Sequence, residues 1–128
     1  MKKSVSCAGE SRKVIGLGAT TVDDSVAEFS GVGPRSYEND TIKPDVSAPG
    51  HLVCSASHLS DGGYVECQRT SMACSPVAGL VALLLNKEPN LSVFDVRKCI
   101  KAGAVPTKST GKSCDGLVDA NQTVPKVD

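Results

Sequence analysis

The sequence predicts an α/β fold, read as part of a sheet together with the helices that cover it. Three observations carry that prediction. Short runs rich in β-branched and small residues fall early in the chain, and helical segments fall late. The longest helical segment is apolar on every side, as a helix inside a larger core would be.

Residues 4–8 and 14–20 are predicted strands, with Gly16 and Gly18 in the second marking close backbone packing or a bulge. Residues 23–49 are rich in Gly, Pro, Ser and Asp and read mainly as loop, with short extended pieces at 27–30 and 45–48. Residues 52–57 and 64–69 flank a turn ending in Gly62-Gly63, a hairpin signal. Pairing Ser57 with Tyr64 places Cys54 opposite Cys67, the pair expected to bond if any does. Thr70 or Ser71 can cap a long helix running to about Asn86, with Pro89 beyond it. Ser92-Val93-Phe94-Asp95 has a capping-box layout and opens a second helix that ends at Gly103. A last short helix is expected over residues 117–124.

Composition excludes several function classes. With 14 basic and 14 acidic side chains, two Phe, two Tyr and no Trp, neither net charge nor aromatic stacking points to nucleic acid. The longest apolar run, residues 77–85, falls well short of the roughly 20 residues of a membrane-spanning helix, so no membrane span is expected. Met1-Lys2-Lys3 is followed by no apolar stretch, so no signal peptide is read on this chain and localisation stays open. Six cysteines form no CxxC pair, and with two histidines they suit a zinc site poorly; disulfides of an exported protein and free buried thiols both remain open. No metal site and no cofactor is expected, and no run of carboxylates has the spacing of a calcium loop.

The segment with the clearest chemistry is Thr70-Ser71-Met72-Ala73. A serine at the start of a long helix sits where free N–H groups and the helix dipole favour developing negative charge. Ser and Thr are also the commonest helix caps, so this feature alone does not establish a nucleophile.

Five ordered motifs sharpen that reading. Thr70-Ser71-Met72-Ala73 with Val77-Ala78-Gly79 resembles the nucleophile motif G-T-S-M-A-x-P-H-V-A-G of the subtilisin-like serine proteases, the subtilases. Residues 14–20 are similar to the V-I-x-V-G-A strand, Phe29-Ser30-Gly31-Val32-Gly33 to F-S-x-x-G, Lys43-Pro44-Asp45-Val46-Ser47-Ala48-Pro49-Gly50 to K-P-D-x-x-A-P-G, and residues 116–120 to the closing G-x-V-x-A run. The resemblance implies a partial subtilisin-like fold: a mainly parallel sheet, a central buried nucleophile helix and a peripheral hairpin. Residues 1–128 are then the C-terminal portion of a peptidase domain whose Asp- and His-bearing half precedes it. Ser71 takes the nucleophile position, a peptide or protein is the substrate once an upstream half completes the groove, and export is common in the family.

Departures from the pattern set the competing readings. No D-[ST]-G or H-G-T-H motif is present, and His51 and His58 read as loop residues without a catalytic role. Glu10 stands where the family has the oxyanion-binding asparagine of A-G-N-x-G, and a carboxylate repels an oxyanion. Arg69 replaces the glycine two residues before the nucleophile, and Ser75-Pro76 replaces Pro-His. The chain by itself is therefore expected to be inactive, as the fragment of a serine endopeptidase, a non-catalytic pseudoprotease or binding module, or a degraded gene product. An unpaired sheet edge in such a half-domain invites pairing with a partner.

Overall fold

The computed structural model describes residues 9, 11–31, 43–108 and 116–127. The expected strand at residues 4–8, Glu10, Cys7 and Cys114 lie outside them.

The sheet is built from two short parallel strands, β1 (Leu17–Thr20) and β2 (Val46–Pro49), in the register Leu17↔Val46 to Thr20↔Pro49. Leu117 extends it: Ser47 N–H donates to Gly116 O at 2.7 Å and Val118 N–H to Ser47 O at 2.8 Å, while Val105 and Leu117 exchange bonds of 2.9 and 2.7 Å. Parallel strands need cover on their faces, and β1 and β2 are buried almost throughout. Their inward side chains are small. Ala19, Ala48 and Ala73 are each fully buried, which lets α1 (Thr70–Lys87) sit close against the strand pair. Val77, Leu80 and Leu84 continue the covered face of α1, and Val96 and Ile100 of α2 (Val93–Ala102) complete the core with Val46, Ala27 and Val127.

The capping box at α2 forms as the sequence predicts. Ser92 Oγ accepts from Asp95 N–H, and the Asp95 carboxylate accepts from Ser92 N–H at 3.1 Å. The last helix is shorter than expected: α3 spans Ala120–Thr123, capped by Asp119, and runs into a 3-10 turn at Val124–Lys126. Leu117 and Val118 belong to the sheet instead, because their backbone groups bond Val105 and Ser47. Residues 27–30 form a turn closed by Ser30 N–H to Ala27 O rather than an extended piece.

A charged cluster closes the entry end of the strand pair. Lys43 and Asp45 are buried side by side, with Nζ 2.5 Å from Oδ2, and Lys43 Nζ also donates to Val14 O at 2.8 Å. Asp45 Oδ2 accepts from Gly16 N–H at 2.7 Å, and Asp45 N–H returns a bond to Gly16 O at 2.8 Å. Arg97 reaches in from α2, its Nε 3.8 Å from Asp45 Oδ1 and its guanidinium donating to Val14 O. Buried ions are tolerated only when paired and hydrogen-bonded, so K-P-D is explained here as a clamp between β1, β2 and α2.

Two expectations are corrected. The hairpin forms from β3 (Val53–Ala56) and β4 (Tyr64–Cys67), but its register is Val53↔Cys67 and Cys54↔Glu66, one residue away from the expected pairing. The closing bond is Ser57 N–H to Gly63 O, so Gly63 belongs to the last pair rather than the turn. A one-residue slip puts Cys54 and Cys67 on opposite faces, and Cys54, Cys67, Cys74 and Cys99 are all free thiols. The second correction concerns α1. It lies on the sheet as expected, but its burial is one-sided: only Ala73, Val77, Leu80 and Leu84 are buried. Leu83 is 54% exposed and Leu85 37%: among the described residues the sheet covers one side of the helix, and these two lie on the other. With 18 residues and a mean hydropathy of 1.2, α1 is long and apolar enough to cross a membrane by length and composition alone; in this structure one face of it packs on β1 and β2.

Candidate active site

Ser71 is the second residue of α1 and is exposed. The start of the helix is set by tertiary bonds rather than by a local cap. Arg69 is the N-cap in extended conformation (φ −172°, ψ 166°), and its side chain makes no cap hydrogen bond. Arg69 N–H donates to Gly50 O at 2.9 Å, and Met72 N–H donates back to Arg69 O at 3.0 Å. Thr70 and Ser71 are thus helical residues, not caps. Gly50 in turn donates to Thr20 O at 3.1 Å. A Cβ on Gly50 would lie 2.7 Å from Ala19 Cβ and 2.8 Å from Arg69 O, so only glycine lets the ends of β1, β2 and α1 converge. The glycine of A-P-G is therefore what fixes Ser71 relative to the sheet.

An open depression of about 460 Å³ lies at this junction, lined by Phe29, Gln68, Arg69, Thr70 and Ser71. Its chemistry is a hydroxyl pair, an amide, a guanidinium and an aromatic wall. Among the described residues no hydrogen bond holds the Ser71 hydroxyl, and no imidazole or carboxylate lines the depression. The His51 ring stacks on Phe29, one of the lining residues, with centroids 6.3 Å apart and planes at 20°. His58 sits exposed in the hairpin turn. Phe29 and Gln68 as walls were not foreseen from the sequence, although Phe29 belongs to the quoted F-S-x-x-G segment.

Arg69 adopts a backbone open to any residue, so replacing the family's glycine strains nothing there; Arg69 is one of the residues lining the depression. Pro76 is inside α1, beyond the first turn, and leaves the Met72 carbonyl without its usual helical donor. No three His, Cys, Asp or Glu side chains converge as a metal site would require among the described residues.

The family model of the subtilases matches residues 1–123. The chain belongs to the subtilase family. The subtilase relatives include the serine protease AprX of Bacillus subtilis (strain 168), 31% identical over 144 residues, covering 96% of this chain and 32% of AprX. Subtilisin-like protease SBT3.9 of Arabidopsis thaliana is 35% identical over 96 residues, covering 72% of the chain and 13% of the relative. Among solved subtilase structures, the Clostridium perfringens CspB protease superposes with a TM-score of 0.77 at 27% identity, over 91% of this chain and 27% of that one. The fold is thus a partial subtilisin fold, and the chain spans a third or less of each of these three proteins.

Proposed function

We propose that this chain is the nucleophile-bearing portion of a subtilisin-like serine endopeptidase, with Ser71 as the attacking residue, and that it is inactive until a second portion supplies the base. The observation that carries this reading is the placement of Ser71 on the second residue of α1, exposed at the rim of a depression that contains no base among the described residues. In the chemistry proposed, Ser71 Oγ attacks the peptide carbonyl carbon, its proton passes to a histidine held by an aspartate, and that proton then leaves on the departing amine. The acyl-enzyme is released by water. The open face of α1 supports the same reading, since Leu83 and Leu85 lie where a further portion of the domain can pack.

The test is fluorophosphonate labelling followed by peptide mass mapping, on the chain alone and on a form extended by an upstream Asp- and His-bearing portion. The chain alone is expected to label no more than its Ser71→Ala variant, and the extended form to label at Ser71. Labelling of the chain alone at Ser71 would refute the need for a second portion. An extended form that folds but stays unlabelled would refute catalysis and leave the non-catalytic binding module, a reading that Arg69 in place of the family's glycine, in the lining beside Ser71, favours.

A further inference from the structure

Three of the four asparagines, Asn39, Asn90 and Asn121, open an Asn-x-Ser/Thr triplet with no proline between, although Ser and Thr together make up only about a sixth of the chain. Such triplets are acceptors for N-linked sugar and belong on a protein surface. The triplet at 39–41 lies outside the described residues.

Asn90 and Asn121 are both exposed. Asn90 stands in the turn between α1 and α2, where its backbone N–H donates to Glu88 Oε1 at 3.1 Å, and Asn121 stands on α3. Neither side-chain amide is hydrogen-bonded among the described residues. Lys87 Nζ donates to Val124 O at 3.4 Å and so joins the last turn of α1 to the 3-10 turn after α3. Asn90 follows this junction closely and Asn121 precedes it closely, so both sit at one end of α1. At roughly 1.5 Å of rise per residue, Lys87 is about 24 Å along α1 from Ser71. A bulky group at this end stands clear of the Ser71 depression.

The third residues of the two triplets are held differently. Ser92 Oγ belongs to the α2 cap, donating to the Asp95 carboxylate at 2.5 Å and accepting from Asp95 N–H at 3.2 Å. Thr123 is fully buried, and its Oγ1 has no hydrogen-bond partner among the described residues. A buried hydroxyl without a partner destabilises a fold, and valine fills nearly the same space without one. The Thr123 hydroxyl therefore has its use outside the folded state. With one hydroxyl held in a cap and the other buried, the triplets are open to a transferase only before folding, and folding then leaves both asparagines at the surface.

We infer that Asn90 and Asn121 are N-glycosylated from a lipid-pyrophosphate-linked oligosaccharide before the chain folds. The asparagine carboxamide nitrogen bonds to C1 of the first sugar, the C1–O bond to the lipid pyrophosphate breaks, and the nitrogen releases a proton. The inference is independent of the role of Ser71.

The test is peptide mapping of the protein isolated from the cells that make it, after peptide N-glycosidase in heavy-oxygen water has turned each glycosylated asparagine into a heavy aspartate. A digest without the glycosidase corrects for spontaneous deamidation. Heavy label is expected at 90 and 121 and not at Asn86, which is exposed but opens no triplet. Unlabelled asparagine at both positions would overturn the inference. Thr123→Val made in the same cells is expected to lose the sugar at 121 and keep the one at 90. Its unfolding midpoint, measured on sugar-free protein, is expected to hold or rise. A lower midpoint would mean that the fold uses the hydroxyl, and sugar retained at 121 would mean that the triplet is not what the transferase recognises; either would overturn the assignment of Asn121.

Discussion

Replacing Leu84 and Leu83 with alanine, one at a time, tests the one-sided packing of α1. Leu84 is fully buried against the sheet, whereas its neighbour Leu83 is 54% exposed on the outward face. A buried Leu→Ala change removes transfer energy and leaves a cavity, costing about 2–5 kcal/mol. At Leu83 less than half of the side chain is out of water, so the same change forfeits about 1 kcal/mol or less from a full-burial value of roughly 1.5–3 kcal/mol. The difference is at least about 1 kcal/mol, and more if the Leu84 site relaxes little. Urea unfolding followed by far-UV circular dichroism reads it directly: with a slope of about 2 kcal/mol per molar, the Leu84→Ala midpoint falls at least about 0.5 M below that of Leu83→Ala. Equal losses would mean that the outward face is covered after all, and the case for a missing portion packed there would collapse. In an extended form that supplies that portion, the Leu83→Ala loss is expected to rise into the buried range.

Gly50→Ala places a methyl within 2.8 Å of both Ala19 Cβ and Arg69 O, so it is expected to cost about 1–3 kcal/mol by overpacking and to abolish labelling of Ser71 in the extended form. Unchanged urea midpoint and labelling would refute the close-approach role of Gly50. The Asp95 carboxyl is held below its usual 3.8 by the Ser92 hydroxyl, by the Ser92 backbone N–H and, more weakly, by the charge of Lys98. A carboxyl depressed in the folded state stabilises above its unfolded value and loses that contribution as pH falls through its lower folded value. Asp95→Asn should therefore lower the unfolding midpoint near neutrality but make it less sensitive to acid below about pH 4; parallel pH profiles of variant and parent would refute this. In the hairpin, Val53→Cys paired with Cys54→Ser is expected to form a disulfide with Cys67 on oxidation, since directly opposed residues lie about 4.5–5.5 Å apart at Cα. Peptide mapping that finds Cys54–Cys67 linked in the parent chain instead would restore the rejected register.

What the sequence revealed follows the range of the forces involved. The α2 cap was legible because Ser92 and Asp95 are three residues apart and satisfy one another. The hairpin was legible, but its register was not, because nothing in 58–63 alone says whether Gly63 ends the turn or begins the pairing. The start of α1 was misassigned to a side-chain cap. The bonds that set it come from Gly50, nineteen residues away, and leave no local signature. Nor could residue pattern give the β1–β2 pairing or the stacking of His51 on Phe29, each joining distant segments. The position of Ser71 in the site was recognisable through the motif around it. The all-round apolar character of α1 read as burial on every side, whereas the described residues cover one face only, because periodicity reports composition around a helix and not what packs on it.

The two ends of the β1–β2 pair are secured by unlike means. At the Gly50 end there is no slack, and one added methyl is refused. At the Lys43–Asp45 end the hold is electrostatic: buried charges gathered on the Asp45 carboxylate. The two holds fail differently, since a methyl added at Gly50 meets hard contacts at once, whereas removing one partner at the charged end leaves the other charge buried without its pair.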